Sequence, residues 1–416
     1  MTTKWTRMLV ALAALAAIAL IGAGCGSDDE ESSSATAGTE ETSSSGDAPS
    51  TDTGAATLRA ELTHLLTEHN DLAGIAVVQA AENGLDSAQF EAAAGALDGN
   101  SEDLADAIGG VYGPDAGKQF LELWRAHIGM FVDYAEGALT GTEKQKKSAL
   151  KDLDGYREDF GAFLQSANPN LTKEAIAEAL VPHVGSLAKT IDAVAGSGEN
   201  PFVLLQEAAS HMPEIAAVLA GAIAEQNPDE YGGAADDGAS TLRSDLTYLL
   251  DGHVYAASIA IVTALGKGAD SPEYEAAGVA LADNTEALAD AIGGVYGKDA
   301  GDQFKDLWEA HIGFFVGYTL ASAEGDEKGM KKAAADLDGY REDFGAFLES
   351  ANPNLTKEAV AEALDPHVKS LTTTIDSAVA GETKVFDDLR TAASHDVELA
   401  NILAGAIVAQ FPEMFG

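Results

Sequence analysis

Leu123-Trp124-Arg125-Ala126-His127-Ile128-Gly129-Met130-Phe131-Val132-Asp133-Tyr134 returns later in the chain as Leu307-Trp308-Glu309-Ala310-His311-Ile312-Gly313-Phe314-Phe315-Val316-Gly317-Tyr318. Trp124, His127, Phe131 and Tyr134 fall three, four and three residues apart, which is one face of an α-helix. Trp308, His311, Phe315 and Tyr318 repeat the pattern. An aromatic stripe of this period predicts a helix buried along that face. It also places an imidazole inside the core, twice in one chain.

Working outward, the two stretches belong to a duplication with a constant offset of 184 residues. Leu104 to Gly113 is identical to Leu288 to Gly297, and Asp152 to Ala175 matches Asp336 to Ala359 at every place except Gln165/Glu349. Apolar spacings of three and four, abundant Ala and few β-branched runs predict helix throughout. Six segments are expected in the first copy: Thr57–Ala81, Ser87–Gly109, Asp115–Leu139, Glu143–Ser166, Thr172–Val194 and Pro201–Gln226. Asn100-Ser101 is a candidate interruption of the second. Thr172 and Thr356 are expected helix caps, and Ser271-Pro272 reads as a serine cap followed by a proline at the first helical position. The fold class is therefore all-α: two tandem homologous antiparallel bundles of about six helices each. The expected boundaries are 57–231 and 241–416, with 232–240 as a flexible Gly-rich linker.

The 416 residues carry 68 acidic and 24 basic side chains, a formal charge of -44. Such a surface repels nucleic acid and anionic lipid, and no basic stripe is present to grip phosphate. Lys4 and Arg7 precede an apolar run from Leu9 to Ile21, the pattern of an export signal over 1–25. Gly22-Ala23-Gly24-Cys25 resembles a bacterial lipobox, which implies that Cys25 is lipidated and that the protein is extracytoplasmic, anchored at the membrane through that lipid alone. Cys25 is the only cysteine, so no intramolecular disulfide forms. The acidic Ser/Thr-rich stretch 26–56 lacks the apolar content to fold and reads as a disordered tether.

Nine histidines are present, and eight pair across the repeat: His69/His253, His127/His311, His183/His367 and His211/His395. Only His64 is unpaired, its counterpart being Tyr248. Around them the copies have diverged, Glu68 facing Gly252 and Met212 facing Asp396. His69, His127 and His211 lie on apolar helix faces, and His183 follows Pro182. Buried imidazoles must be neutral and hydrogen-bonded, or coordinated. One reading is a transition-metal site in each repeat, copper or zinc, formed by the four histidines. The other is a set of core histidines, or a network with Tyr134 and Tyr318 completing the surroundings of the rings. Among the eight paired histidines no His-x-x-x-His or Glu-x-x-His spacing supports a metal site. No nucleophile elbow, phosphate-binding loop or Cys-x-x-Cys-His motif occurs.

The pattern Leu-Trp-x-x-His-Ile-x-x-Phe-Val-x-Tyr, followed by Asp-x-Tyr-Arg-x-x-Phe-x-x-Phe-Leu and Ala-Asn-Pro-Asn-Leu, resembles a family of secreted helical repeat domains of Gram-positive bacteria. Some of its members carry a name borrowed from copper amine oxidase. That activity does not transfer, because the Asn-Tyr-Asp/Glu and His-x-His motifs of those enzymes are absent here. The resemblance implies a helical extracytoplasmic module. The leading expectation is a lipid-anchored binding protein holding copper or zinc through the histidines. The alternatives are a metal-free structural or interaction module and a haem- or metal-dependent redox protein, with an enzyme placed behind the binding readings.

Overall fold

The computed structural model describes residues 48–415, so the export signal, Cys25 and residues 26–47 of the tether lie outside the described residues. The described chain is helical, with no strand among those residues. The first repeat contains α1 (Gly54–Asn83), α2 (Ala88–Tyr112), α3 (Pro114–Leu139), α4 (Glu143–Ala167), α5 (Lys173–Asp192), α6 (Pro201–Ala209) and α7 (Met212–Gln226). The second contains α8 (Gly238–Lys267), α9 (Pro272–Tyr296), α10 (Lys298–Glu324), α11 (Glu327–Ala351), α12 (Lys357–Ala380), α13 (Val385–Ser394), α14 (Asp396–Gln410) and a closing turn, α15 (Pro412–Phe415).

Local chemistry sets most boundaries. The Thr172 and Thr356 hydroxyls accept from Ala175 N and Ala359 N at 3.2 Å, and Ser271 Oγ accepts from Tyr274 N ahead of α9. The α2–α3 turn needs Gly113 at φ 92°, where a side chain would be strained, and Gly297 repeats it at φ 90°. Asn100-Ser101 does not interrupt α2. Both side chains are buried and bonded, Asn100 Nδ2 to Leu65 O at 2.9 Å and Ser101 Oγ to Leu97 O at 2.9 Å, so these polar residues tie α2 to α1 and to itself. The expected sixth segment is in fact two helices, α6 and α7, which break at Ser210-His211; α6 packs on α5 and α1 of its own repeat and also bridges to the second. Phe202 of α6 packs among Ala260, Ala277 and Ala280 of the second repeat, and α7 packs on α1. In the second repeat, α13 makes the reciprocal bridge and packs against α2.

The two copies meet along α1 and α8. Arg59 bonds Thr241, Thr63 bonds Ser244, His64 bonds Asp251, Glu68 bonds Tyr255 and Glu82 pairs with Lys267. The partners advance together, so the helices run parallel, each residue near its own counterpart. The contact is isologous within one chain, like a two-fold dimer interface. Arg59 Nη1 donates to Ala235 O at 2.8 Å and Thr241 Oγ1 at 2.8 Å, while Arg243 Nη1 donates to Thr51 O at 2.7 Å and Thr57 Oγ1 at 2.9 Å. These bonds correct two expectations. The stretch 232–240 is not a loose linker, since Ala235 and Ser240 are buried, and the tether ends before Thr51, which is buried like Ala55 and Ala56. Each segment is an arm held by the other repeat's arginine.

The boundaries 57–231 and 241–416 describe two sequence repeats whose cores are continuous. Leu72, Ile75, Ala93 and Leu97 share one apolar cluster with Val254, Tyr255, Phe315 and Phe386. Residues 49–416 form a single compact unit. Helix α8 is long and apolar enough to cross a membrane by composition, yet 56% of its most apolar window is buried within the protein. Its apolar character follows from lying between the two repeats.

Close helix approach depends on a few glycines. A Cβ at Gly161 would stand 2.5 Å from Lys173 O, and one at Gly345 2.5 Å from Lys357 O, where α4 and α11 cross the starts of α5 and α12. Gly155 has open space around its Cβ position. Gly161→Ala and Gly345→Ala should each destabilise by about 1–3 kcal/mol through forced separation of the helices. Gly155→Ala should stabilise by up to about 1 kcal/mol through helix propensity. Urea unfolding midpoints of the three variants check this.

Candidate functional site

In each repeat the first and third helices bring two imidazoles into contact. His69 of α1 and His127 of α3 are 2% and 3% exposed, with Nε2 atoms 3.3 Å apart. His253 of α8 and His311 of α10 repeat this at 3.3 Å. The aromatic stripe closes around them. Trp124 meets His69 at 4.8 Å between ring centroids and His127 at 4.6 Å, and Tyr156 of α4 stacks on His127 at 4.9 Å and 23°. Tyr340 stacks on His311 in the same way, at 4.8 Å and 18°.

The second repeat fixes where the protons are. Trp308 Nε1–H donates to His253 Nδ1 at 3.2 Å. Indole nitrogen only donates, so His253 Nδ1 must carry a lone pair, and a neutral His253 then holds its proton on Nε2. That N–H points at His311 Nε2, which accepts. His311 is left with its proton on Nδ1, and the backbone of Trp308, one turn back, favours a protonated ring there. Nδ1 of His311 has no hydrogen-bond partner. In the first repeat Trp124 Nε1 and His69 Nδ1 both lack a well-formed partner, although the rings are placed alike.

A third histidine lies beside each pair. The His183 ring is 6.4 Å from His69 and meets Phe131 edge-on. His367, its counterpart, has Nδ1 3.2 Å from Asp396 Oδ1. The equivalent of Asp396 is Met212, so His183 has no such carboxylate. His253, His311, His367 and Asp396 line one cavity of about 10 Å³. His69 and His127 lie at the base of a more apolar cavity of about 40 Å³, with Phe131 and Val132 on its wall.

Burial sets the electrostatics. It drives His69 and His253 well below the usual histidine range, His127 and His311 to about 3, and His183 to about 4, with neighbouring imidazoles adding to the effect. His64 behaves in the opposite way. Burial works against its charge, but Asp251, 3.0 Å from Nδ1 across the repeat interface, holds it protonated to about pH 9.

Three of the four expected histidines per repeat come together. His211 and His395 sit at the α6–α7 and α13–α14 junctions, partly exposed and outside the ring contacts. Tyr134 and Tyr318 do not serve the imidazoles either. Their hydroxyls donate to Asp192 and Asp376 at 3.1 Å. The aromatic partners of the imidazoles are instead Tyr156 and Tyr340, whose spacing with Phe160, Phe163, Phe344 and Phe347 marks them as core residues. Arg157, which follows Tyr156, pairs with Asp154 at 2.6 Å.

Comparison with protein-family profiles, curated proteins and solved structures returns no match. The resemblance to secreted helical repeat domains therefore rests on the quoted motifs alone. Among the described residues no group of three or more His, Cys, Asp or Glu side chains is placed to hold a metal ion. The two Nε2 atoms do stand at the separation of about 3.3 Å that two tetrahedral ligands with bonds near 2.05 Å would take. Ligation by both Nε2 atoms would put a proton on His253 Nδ1, facing the Trp308 N–H donor. A metal-bound histidine needs an acceptor at that place. Haem fits neither cavity, since a site for an organic group of that kind occupies about 300 Å³ or more.

The lowered histidines make folding acid-sensitive. Their unfolded value is near 6.5, so their contribution is complete above that pH and is lost as pH falls toward 4 and below. Each should contribute a slope of about 1.4 kcal/mol per pH unit. The buried carboxylates Asp71, Asp251 and Asp396 are raised and act in the opposite sense. His183→Leu should flatten the stability–pH slope between about pH 6 and 4.5 by close to one histidine's share, as urea midpoints across that range will read.

Proposed function

We propose that the chain is a non-catalytic extracytoplasmic binding body, tethered through Cys25, in which the histidine pairs are neutral core elements. The observation that carries this reading is the donor order Trp308 to His253 to His311, which uses the Nε2 lone pairs internally. Buried polar groups linked in this way fix the relative rotation and height of the helices that carry them. The acidic exterior, with a formal chain charge of -44, favours partners that present positive charge and gives such encounters a strong salt dependence.

A second reading is favoured by one feature of the second repeat. Asp396 beside His367 Nδ1 supports the tautomer that leaves Nε2 of His367 free, as in carboxylate–histidine–metal arrangements. A copper or zinc ion would then belong to the second repeat alone, held through Nε2 of His367 and His311, with Asp396 orienting the His367 ring from its Nδ1 side. Metal analysis of the purified protein after incubation with either ion separates the two. The neutral-core reading expects less than about half an equivalent bound and an unfolding temperature unaffected by chelator. One equivalent that is lost in Asp396→Ala and retained in Met212→Ala would establish the metal reading instead.

A further inference from the structure

The pseudo-two-fold relation between the repeats gives each buried polar group an internal reference. On one side of the α1–α8 contact, Glu68 is 1% exposed and fully engaged. Its carboxylate accepts from Asn100 Nδ2 at 2.8 Å, Tyr255 Oη at 3.0 Å, Arg390 Nε at 3.1 Å and Arg390 Nη2 at 3.0 Å. Arg390 also reaches Asp103.

Every member but Asn100 changes on the other side. Gly252 stands for Glu68, Gln206 for Arg390, Asp71 for Tyr255 and Ala287 for Asp103, while Asn284 is kept for Asn100. The carboxylate that filled the space and the guanidinium that held it are both missing. A carboxylate stands where the tyrosine donor was. The space is a cavity of about 20 Å³, enough for one water-sized guest, lined by Asp71, Gln206, Tyr248, Gly252 and Asn284 among apolar side chains.

The lining has the polarity of a cation site. Asp71 is 4% exposed and accepts from Asn70 Nδ2 at 3.3 Å, with no cationic side chain paired to it among the described residues. Burial holds the Asp71 carboxyl well above its usual range, and the nearby Asp251 and Glu68, each already paired with its own cation, add to that shift. Asn284 is 8% exposed and its Oδ1 has no partner. Gln206 spends its amide N–H on Ala280 O, leaving its oxygen as the free end. A buried carboxylate with no counter-charge is costly, and a bound cation removes that cost. One carboxylate with amide and phenol oxygens lacks the nitrogen or sulfur donors of a transition-metal site and the several carboxylates of a calcium site.

We propose that this inter-repeat cavity binds a small monovalent cation, an alkali-metal or ammonium ion, with Asp71 as counter-charge and Asn284, Gln206 and Tyr248 as neutral oxygen donors. The guest would do for the second half of the interface what Arg390 and Glu68 do for the first. The site is independent of the histidine pairs.

Thermal unfolding of the whole protein at pH 8 and fixed ionic strength tests this, with choline chloride compared against sodium, potassium and ammonium chlorides. At least one small cation should raise the midpoint by about 2 °C or more over choline, and the arms identify which. Asp71→Asn should abolish the difference. Gln206→Arg, which supplies the cation covalently as Arg390 does, should raise the midpoint in choline and also abolish the difference. Equal midpoints in all four salts for the unaltered protein overturn the proposal, as does an undiminished difference in Asp71→Asn. If Asp71→Asn does not fold, an undiminished difference in Gln206→Arg overturns it equally.

Discussion

The structure depends on the parallel contact between α1 and α8. Two helices of 30 residues each, side by side and nearly in register, place residues of one helix near their own counterparts in the other. This makes the interface pseudo-isologous, and some of its contacts are made twice. The reciprocal grips of Arg59 on Ala235 O and Arg243 on Thr51 O are the clearest case. The same relation lets α6 and α13, each packed on its own repeat, also touch the opposite one. It also sets the two histidine pairs, because His69 and His253 lie on these two helices.

Burial without charge is the second constraint. Imidazoles in the core would cost too much as cations, so they stay neutral, and the Nε2 atoms of each pair face one another. The order of donors in the second repeat is dictated by a group with no choice, the Trp308 indole N–H. Copper and zinc compete for the lone pairs that this order already uses. His64 shows the other solution open to a buried imidazole, since Asp251 across the interface lets it keep its charge. The two kinds of histidine therefore respond to pH in opposite directions within a few ångströms of the same helix.

Duplication also explains why the repeats are not chemically equal. Positions on the inter-repeat axis meet their counterparts, so a change on one side alters the surroundings of the other. Glu68 with Arg390 fills one half of the interface, and Gly252 with Gln206 leaves the other half open beside Asp71. Asp396 likewise gives His367 a carboxylate that His183 lacks. The aromatic stripes and the Asn-Pro-Asn turns, which serve each repeat separately, are by contrast nearly unchanged.

The chain alone determined the helical class, the duplication and its offset, the caps at Thr172 and Thr356, and the burial of His69 and His127. Period, capping chemistry and self-similarity are local properties, and they can be read wherever the local choice agrees with the final fold. The tertiary structure decided what meets what. It joined two repeats into one core and turned the linker and the end of the tether into gripped arms. It replaced Tyr134 by Tyr156 at the imidazole face and left His211 and His395 outside the cluster. The reason is that a helical period says which side of a helix is buried but not which residue of another helix lies opposite. Rotation and height between helices are set by side chains distant in sequence, and a shift of one turn would have exchanged one set of partners for another.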